Sequence, residues 1–163
     1  MKLEKDMRKF FIKQLVASNK NKNNYLIIND LGYGVVEPFK NKFPDRIFNA
    51  GVSEQNMMGM AAGIASEKCN VFVYSIANFS TFRCAEQIRN DIDYHKLPVT
   101  IVSVGSGVGY GNLGYTHHAL QDYALMRSFP NMQILSPGNN NELIGLLDYI
   151  KKNPQPSYLR LDK

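Results

Sequence analysis

Short apolar runs alternate with amphipathic stretches along the whole of this chain. Met7, Phe10, Phe11, Ile12, Leu15 and Val16 recur at helical spacing and predict a helix over 7–17. A polar loop over 19–24 leads into the strand Tyr25-Leu26-Ile27-Ile28, which Asn29-Asp30 ends. Gly32 and Gly34 mark a turn, and a weak helix over 37–43 stops at Pro44-Asp45. A second strand over 46–50 feeds a tight glycine turn and then a helix over 53–67, for which Ser53 is a good N-cap. A third strand over 71–76 precedes a long helix over 79–95, with Phe82, Ala85, Ile88 and Ile92 on one face. A fourth strand over 98–104 opens into a loop over 105–115 that is rich in glycine. Then come a helix over 119–129, a strand over 132–135, an amphipathic helix over 141–152 and a last strand over 157–161.

Near-continuous apolar strands alternating with helices predict a single α/β domain over 1–163. The expected architecture is a doubly wound, mainly parallel sheet of about six strands with both faces covered. In such a sheet the carboxyl ends of the strands share one edge, where open α/β sheets bind ligands. Asp30 follows the first strand, Glu54 the second, and Asn78 and Phe79 the third; Thr116, His117 and His118 lie in the loop after the fourth. These residues are therefore able to converge on one site.

Composition narrows the class. Hydrophobic residues make up 44% of the chain and charged residues 20%, which is the balance of a folded globular domain rather than a disordered one. There is no apolar run long enough to span a membrane, and Met1 to Lys9 lack the apolar core of a secretory signal. Two cysteines, Cys69 and Cys84, do not make a disulfide framework, and a reducing cytoplasm is the simplest setting. The net charge of +5 draws on Lys20, Lys22, Lys40 and Lys42, but no basic block interleaves with aromatics, which argues against nucleic-acid binding.

Among the candidate residues, Glu54 stands in the first turn of its helix, beyond a strand's carboxyl end. That helix carries Gly59, Ala61, Ala62, Gly63 and Ala65, small residues that allow another backbone to come close. Phe79 and Phe82 stand three apart at a helix start. They either pack into the core or stack on a flat ring, with Phe82 expected to be partly core and Phe79 better placed to stack. His117 and His118 read either as solvated loop histidines or as substrate-binding ones; no third ligand at suitable spacing suggests a zinc site. Gly109-Tyr110-Gly111-Asn112-Leu113-Gly114 fits G-x-G-x-x-G, but Thr116-His117-His118 follows where a dinucleotide fold needs a helix, so a lid or substrate loop is the better reading. Cys84 reads as a buried, inert thiol.

Four stretches, in order and spacing, resemble the pyrimidine-binding domain of the transketolase family, including 1-deoxyxylulose-5-phosphate synthase and the split transketolases. They are Arg46-Ile47-Phe48-Asn49-Ala50-Gly51-Val52-Ser53-Glu54-Gln55-Asn56-Met57, Phe79-Ser80-Thr81-Phe82, Gly114-Tyr115-Thr116-His117-His118, and Pro130-Asn131-Met132-Gln133-Ile134-Leu135-Ser136-Pro137. The glycine-rich run before Thr116 looks most like the C-terminal section of split transketolases.

The resemblance implies a thiamine-diphosphate enzyme that transfers a two-carbon ketol unit between sugars. Glu54 matches the glutamate that hydrogen-bonds the cofactor's aminopyrimidine at N1′. Phe79 and Phe82 match the aromatics against that ring, and His117 matches a histidine that contacts the sugar, with His118 beside it. Asp30 falls near an acidic position of the cofactor site.

Two departures follow. A third aromatic, common in the family one turn after the second, is replaced by Ala85. The Gly-Asp-Gly that begins the family's diphosphate and Mg²⁺ site is absent from these residues, and the sequence ends where the family continues into a third domain. The resemblance thus implies half an active site, with Mg²⁺ and the diphosphate held by a partner domain or partner chain in a homo- or hetero-oligomer. Three alternatives stand beside it: a component like the β chain of a 2-oxo acid dehydrogenase, a non-catalytic assembly module of the same fold, and a dinucleotide-binding oxidoreductase.

Overall fold

A computed structural model describes residues 5–21 and 23–162; the N-terminal tetrapeptide, Lys22 and Lys163 lie outside it. The elements follow in the order α1 (Met7–Ser18), β1 (Asn24–Ile28), α2 (Glu37–Lys42), β2 (Ile47–Asn49), α3 (Glu54–Ser66), β3 (Asn70–Ile76), α4 (Ala85–Gln87), β4 (Val99–Val104), α5 (Asp122–Met126), β5 (Gln133–Leu135), α6 (Asn140–Lys152) and β6 (Ser157–Leu161). The six strands form one sheet in the order β2-β1-β3-β4-β6-β5. Every strand pair is parallel, so the sheet is wholly rather than mainly so.

Alternation along each strand sends neighbouring side chains to opposite faces, and both faces are apolar. Leu26, Phe72, Val102 and Leu159 face α1, α2 and α6, where Phe11, Leu15, Phe39 and Leu143 pack. Ile27, Val73, Ile101 and Tyr158 face the other side and meet Met57, Ala61 and Ala65 of α3, Ile88 and Ile92, and Met126 of α5. With two helical layers burying it, the sheet leaves only its edges and strand ends to solvent. Among the described residues no helix is long and apolar enough to cross a membrane.

Three local expectations need correction. The long helix expected over 79–95 is a composite: a 3₁₀ turn at Phe82–Cys84, the short α4, and a π-helical stretch at Ile88–Asp93. Its start is delayed because the Ser80 and Thr81 hydroxyls donate back to the carbonyls of Ile76 (3.2 Å) and Ala77 (2.8 Å), holding a turn in competition with the helix. Phe82 is thereby turned out to 46% exposure instead of entering the core, while Ile88 and Ile92 are buried as expected. The helix expected over 119–129 shrinks to α5, because Ala119 is drawn into the preceding loop by its N–H donating to the Gly107 carbonyl (2.8 Å). Ser53 does occupy the N-cap position of α3, yet its hydroxyl donates backwards to the Ala50 carbonyl (2.6 Å) and caps nothing.

Cys84 is fully buried, and burial pushes its thiol up to about 12, in keeping with an inert core sulfur. Cys69 is also free. The G-x-G-x-x-G run opens no α-helix; it holds only a 3₁₀ turn at Gly111–Leu113, so the geometry a dinucleotide needs is missing.

Candidate functional site

Parallel pairing puts the carboxyl ends of β1 to β4 along one edge of the sheet, and the residues beyond them form the candidate site. Beyond β2, the glycine turn at Gly51 (φ +71°) leads directly into α3, whose first residue is Glu54. Its side chain is only 3% exposed. Two donors meet it, both on the same oxygen: Asn29 Nδ2 at 2.8 Å and Arg83 Nη1 at 2.9 Å give their hydrogens to Oε1. Among the described residues no hydrogen bond reaches Oε2. Asn29 is itself buried, and among the described residues its Oδ1 has no partner.

Arg83 connects Glu54 to an aromatic stack. Its guanidinium lies over the Phe79 ring, 4.5 Å from the centroid. The His117 ring meets Phe79 edge-on at 5.0 Å, and Tyr110 lies against His117 at 5.7 Å. The loop that delivers His117 is tied down at several points. Asn78 Nδ2 donates to the Thr116 carbonyl (2.7 Å), and the Thr116 hydroxyl bonds His117 Nδ1 (3.0 Å). Tyr110 sits so close to Gly105 (φ +88°) that a Cβ there would overlap the Tyr110 ring. Only a glycine fits that position.

The structure therefore joins Glu54, Phe79 and His117, reached from three different strand ends. The other expected residues stand apart. His118 bonds the Gly111 carbonyl through Nε2 (2.9 Å) and braces the loop. Asp30, in a left-handed conformation (φ +56°), accepts from Asn49 Nδ2 and Tyr33 Oη, both at 3.0 Å. Those two bonds, with Asn49 the larger cause, hold its carboxyl below the usual range. Phe82 is 46% exposed, and among the described residues no ring contact to it is seen.

Asn29 and Arg83 escaped the sequence reading. Asn29 was visible as a polar residue ending β1, but nothing in the sequence shows it reaching a helix 25 positions away. Arg83 lies in a stretch that reads as a regular helix, and the broken helix changes which way it points. A crevice of about 130 Å³ lies far from this edge, between α1 and α6, with Gln14, Asn70, Pro98 and Asp148 in its wall. Its titratable lining is one acid and one base on the same helix, Asp148 and Lys151, whereas the strand ends bring a buried carboxylate, an arginine and a histidine from different elements. Among the described residues no cluster of three or more His, Cys, Asp or Glu is arranged to hold a metal ion.

Comparison with known proteins identifies the family of the domain. Residues 4–163 match the family described as transketolase, pyrimidine binding domain. A protein of Methanocaldococcus jannaschii described as a transketolase C-terminal section is 37% identical over 161 residues, which is 98% of this chain and 51% of that protein. One of the subunits of an apulose-4-phosphate transketolase, from Actinobacillus succinogenes, is 38% identical over 127 residues, covering 78% of this chain and 41% of the relative. Among solved structures, a split-gene transketolase in an inactive β4 tetramer superposes with a TM-score of 0.83 at 34% identity, over 95% of this chain and 50% of that one. The chain thus spans about half the length of the relatives it matches. On these grounds, the chain belongs to the transketolase pyrimidine-binding domain family.

Proposed function

We propose that this chain supplies the aminopyrimidine-binding half of a thiamine-diphosphate site in a transketolase-like enzyme, which transfers a two-carbon ketol unit between sugars. The observation that carries the reading is Glu54: a buried carboxylate whose two donors both take Oε1, one of them, Arg83, also lying over the ring of Phe79. An aminopyrimidine fits these residues. Its flat ring suits the Phe79 face, a ring nitrogen that shares a proton suits Oε2, and the unpartnered Asn29 Oδ1 is a buried acceptor for an N–H. When bound, thiamine diphosphate supplies the carbon nucleophile that accepts and releases the two-carbon unit.

Within that scheme Glu54 holds or moves a proton at the pyrimidine nitrogen, Phe79 orients the ring, and Asn29 fixes the carboxylate. His117, set against Phe79 by Thr116 and Asn78, donates to or accepts from a sugar hydroxyl, with His118 supporting its loop. Phe82, exposed on the same edge, is assigned to the surroundings of the ring. Asp30, at the neighbouring strand end, borders the cofactor. The domain over 1–163 carries no Gly-Asp-Gly, so the diphosphate and Mg²⁺ are assigned to a partner domain or partner chain. Exposed apolar side chains on the same edge, Val52 at 75% and Phe82 at 46%, suit a protein partner. So do Gly59 and Gly63, which lie on the outer face of α3 with open space where a Cβ would stand. The split-gene neighbour, solved as an inactive β4 tetramer, is consistent with a chain that self-associates without its partner. The setting proposed is a cytoplasmic dimer or hetero-oligomer in carbohydrate metabolism.

The test is reconstitution with a partner chain that carries Gly-Asp-Gly. Thiamine-diphosphate-dependent ketol transfer from a ketose phosphate to an aldose acceptor is expected only with both chains present. Turnover of pyruvate with no transfer from sugar phosphates would replace this reading with the 2-oxo acid dehydrogenase one.

A further inference from the structure

Arg83 occupies the Phe79 face that the proposed function reserves for the aminopyrimidine, and it pairs with the same carboxylate through Oε1, the oxygen beside the one left to the ring nitrogen. Its Nη1 donates to Glu54 Oε1 at 2.9 Å, and its guanidinium lies 4.5 Å from the centre of the Phe79 ring. A guanidinium is planar, cationic, rich in N–H donors and able to stack on an aromatic face. Those are the properties of a pyrimidine that carries a proton on its ring nitrogen. We infer that Arg83 is a stand-in for the aminopyrimidine, and that it sets cofactor affinity because the ring enters the slot by displacing it. The inference rests on the functional reading of Glu54 and Phe79 as the pyrimidine slot.

The local structure is built for such an exchange. The backbone of Arg83 is fixed, because Gln55 Nε2 donates to its carbonyl at 3.1 Å. Its side chain is 51% exposed, so the guanidinium can rotate into water without unpacking the core. Asn29 is buried and stays on Oε1 when Arg83 leaves. Glu54 then keeps one neutral donor but loses its counter-ion. A buried carboxylate without a counter-ion is costly, so a ring nitrogen that shares a proton with it restores the balance. Removal of Arg83 and arrival of the ring are in this way coupled through one carboxylate.

The aminopyrimidine half of the cofactor, 4-amino-5-hydroxymethyl-2-methylpyrimidine, tests the exchange without metal or diphosphate. Its binding to the purified chain is measured by NMR titration for the wild type, Arg83→Ala, Arg83→Lys and Arg83→Ala with Glu54→Gln. A partly exposed ion pair and a cation–π contact together resist entry by roughly three- to tenfold, so Arg83→Ala is expected to bind tighter by that factor. Arg83→Lys, which keeps charge but cannot present a stacked plane, falls between the two, and adding Glu54→Gln removes the gain. Equal affinity for wild type and Arg83→Ala overturns the displacement while leaving the slot assigned. Weaker binding by Arg83→Ala also overturns it, since Arg83 would then hold the ring rather than yield to it. No binding to any of the four removes the aminopyrimidine slot itself, and the functional reading with it.

Discussion

Replacing Glu54 by Gln is expected to lower turnover of the reconstituted enzyme by roughly 10²- to 10⁴-fold, the usual range for losing a positioned proton-transfer group. The substitution isolates chemistry from packing. Gln fills the same volume at the start of α3, and its carbonyl oxygen still accepts from Asn29, as Oε1 does now. What is lost is the charge and the ability to exchange a proton with a ring nitrogen. Arg83 loses its ionic partner too, but its half-exposed side chain finds water, so the thermal transition is expected to move little. Steady-state kinetics with saturating cofactor, alongside a melting curve, separates the two effects. Turnover within about twofold of wild type would exclude Glu54 from proton transfer.

The largest stability effect is expected at Asp122. This carboxylate is fully buried at the start of α5. Tyr158 Oη donates to its Oδ2 at 2.7 Å, and Arg160 Nη1 reaches Oδ1 at 3.2 Å and Oδ2 at 3.3 Å. Arg160 in turn lies over the Tyr123 ring, 4.2 Å from its centre. Burial, and next the neighbouring carboxylate, keep the Tyr158 phenol well above its ordinary range, so it remains a donor. Asp122→Ala leaves a guanidinium without its counter-ion and a phenol without its acceptor. Breaking a buried pair from one side costs about 3–5 kcal/mol. Urea denaturation measures it, and a loss under about 1 kcal/mol would mean that water reaches Arg160 in the folded state. The same guanidinium passes 3.8 Å from where a Cβ on Gly107 would sit, beneath the loop that carries His117.

The sheet was legible because its strands are so apolar. Runs such as Val71-Phe72-Val73-Tyr74 and Thr100-Ile101-Val102 leave no polar face, and only a parallel sheet covered on both sides accommodates them. Glu54, Phe79 and His117 were legible for a related reason: strand ends fall on one edge, and each follows a different strand. The misread segments share a cause. Ser80, Thr81 and Ser53 hydrogen-bond backwards to nearby carbonyls, and periodicity does not register such local competition. The outward turn of Phe82 follows from two of those bonds. Asn29 and Arg83 were illegible for a different reason: their roles exist only through Glu54, which sits 25 and 29 positions away in sequence.

The claim that this chain holds half of a cofactor site is tested most directly by isothermal titration of the purified chain with thiamine diphosphate and Mg²⁺, alone and with a Gly-Asp-Gly partner. A pyrimidine slot without diphosphate and metal ligands provides modest affinity, so the chain alone is expected to bind no tighter than about 1 mM. Adding the partner is expected to produce stoichiometric binding in the micromolar range or below. Tight, one-to-one binding by the chain on its own would contradict the account.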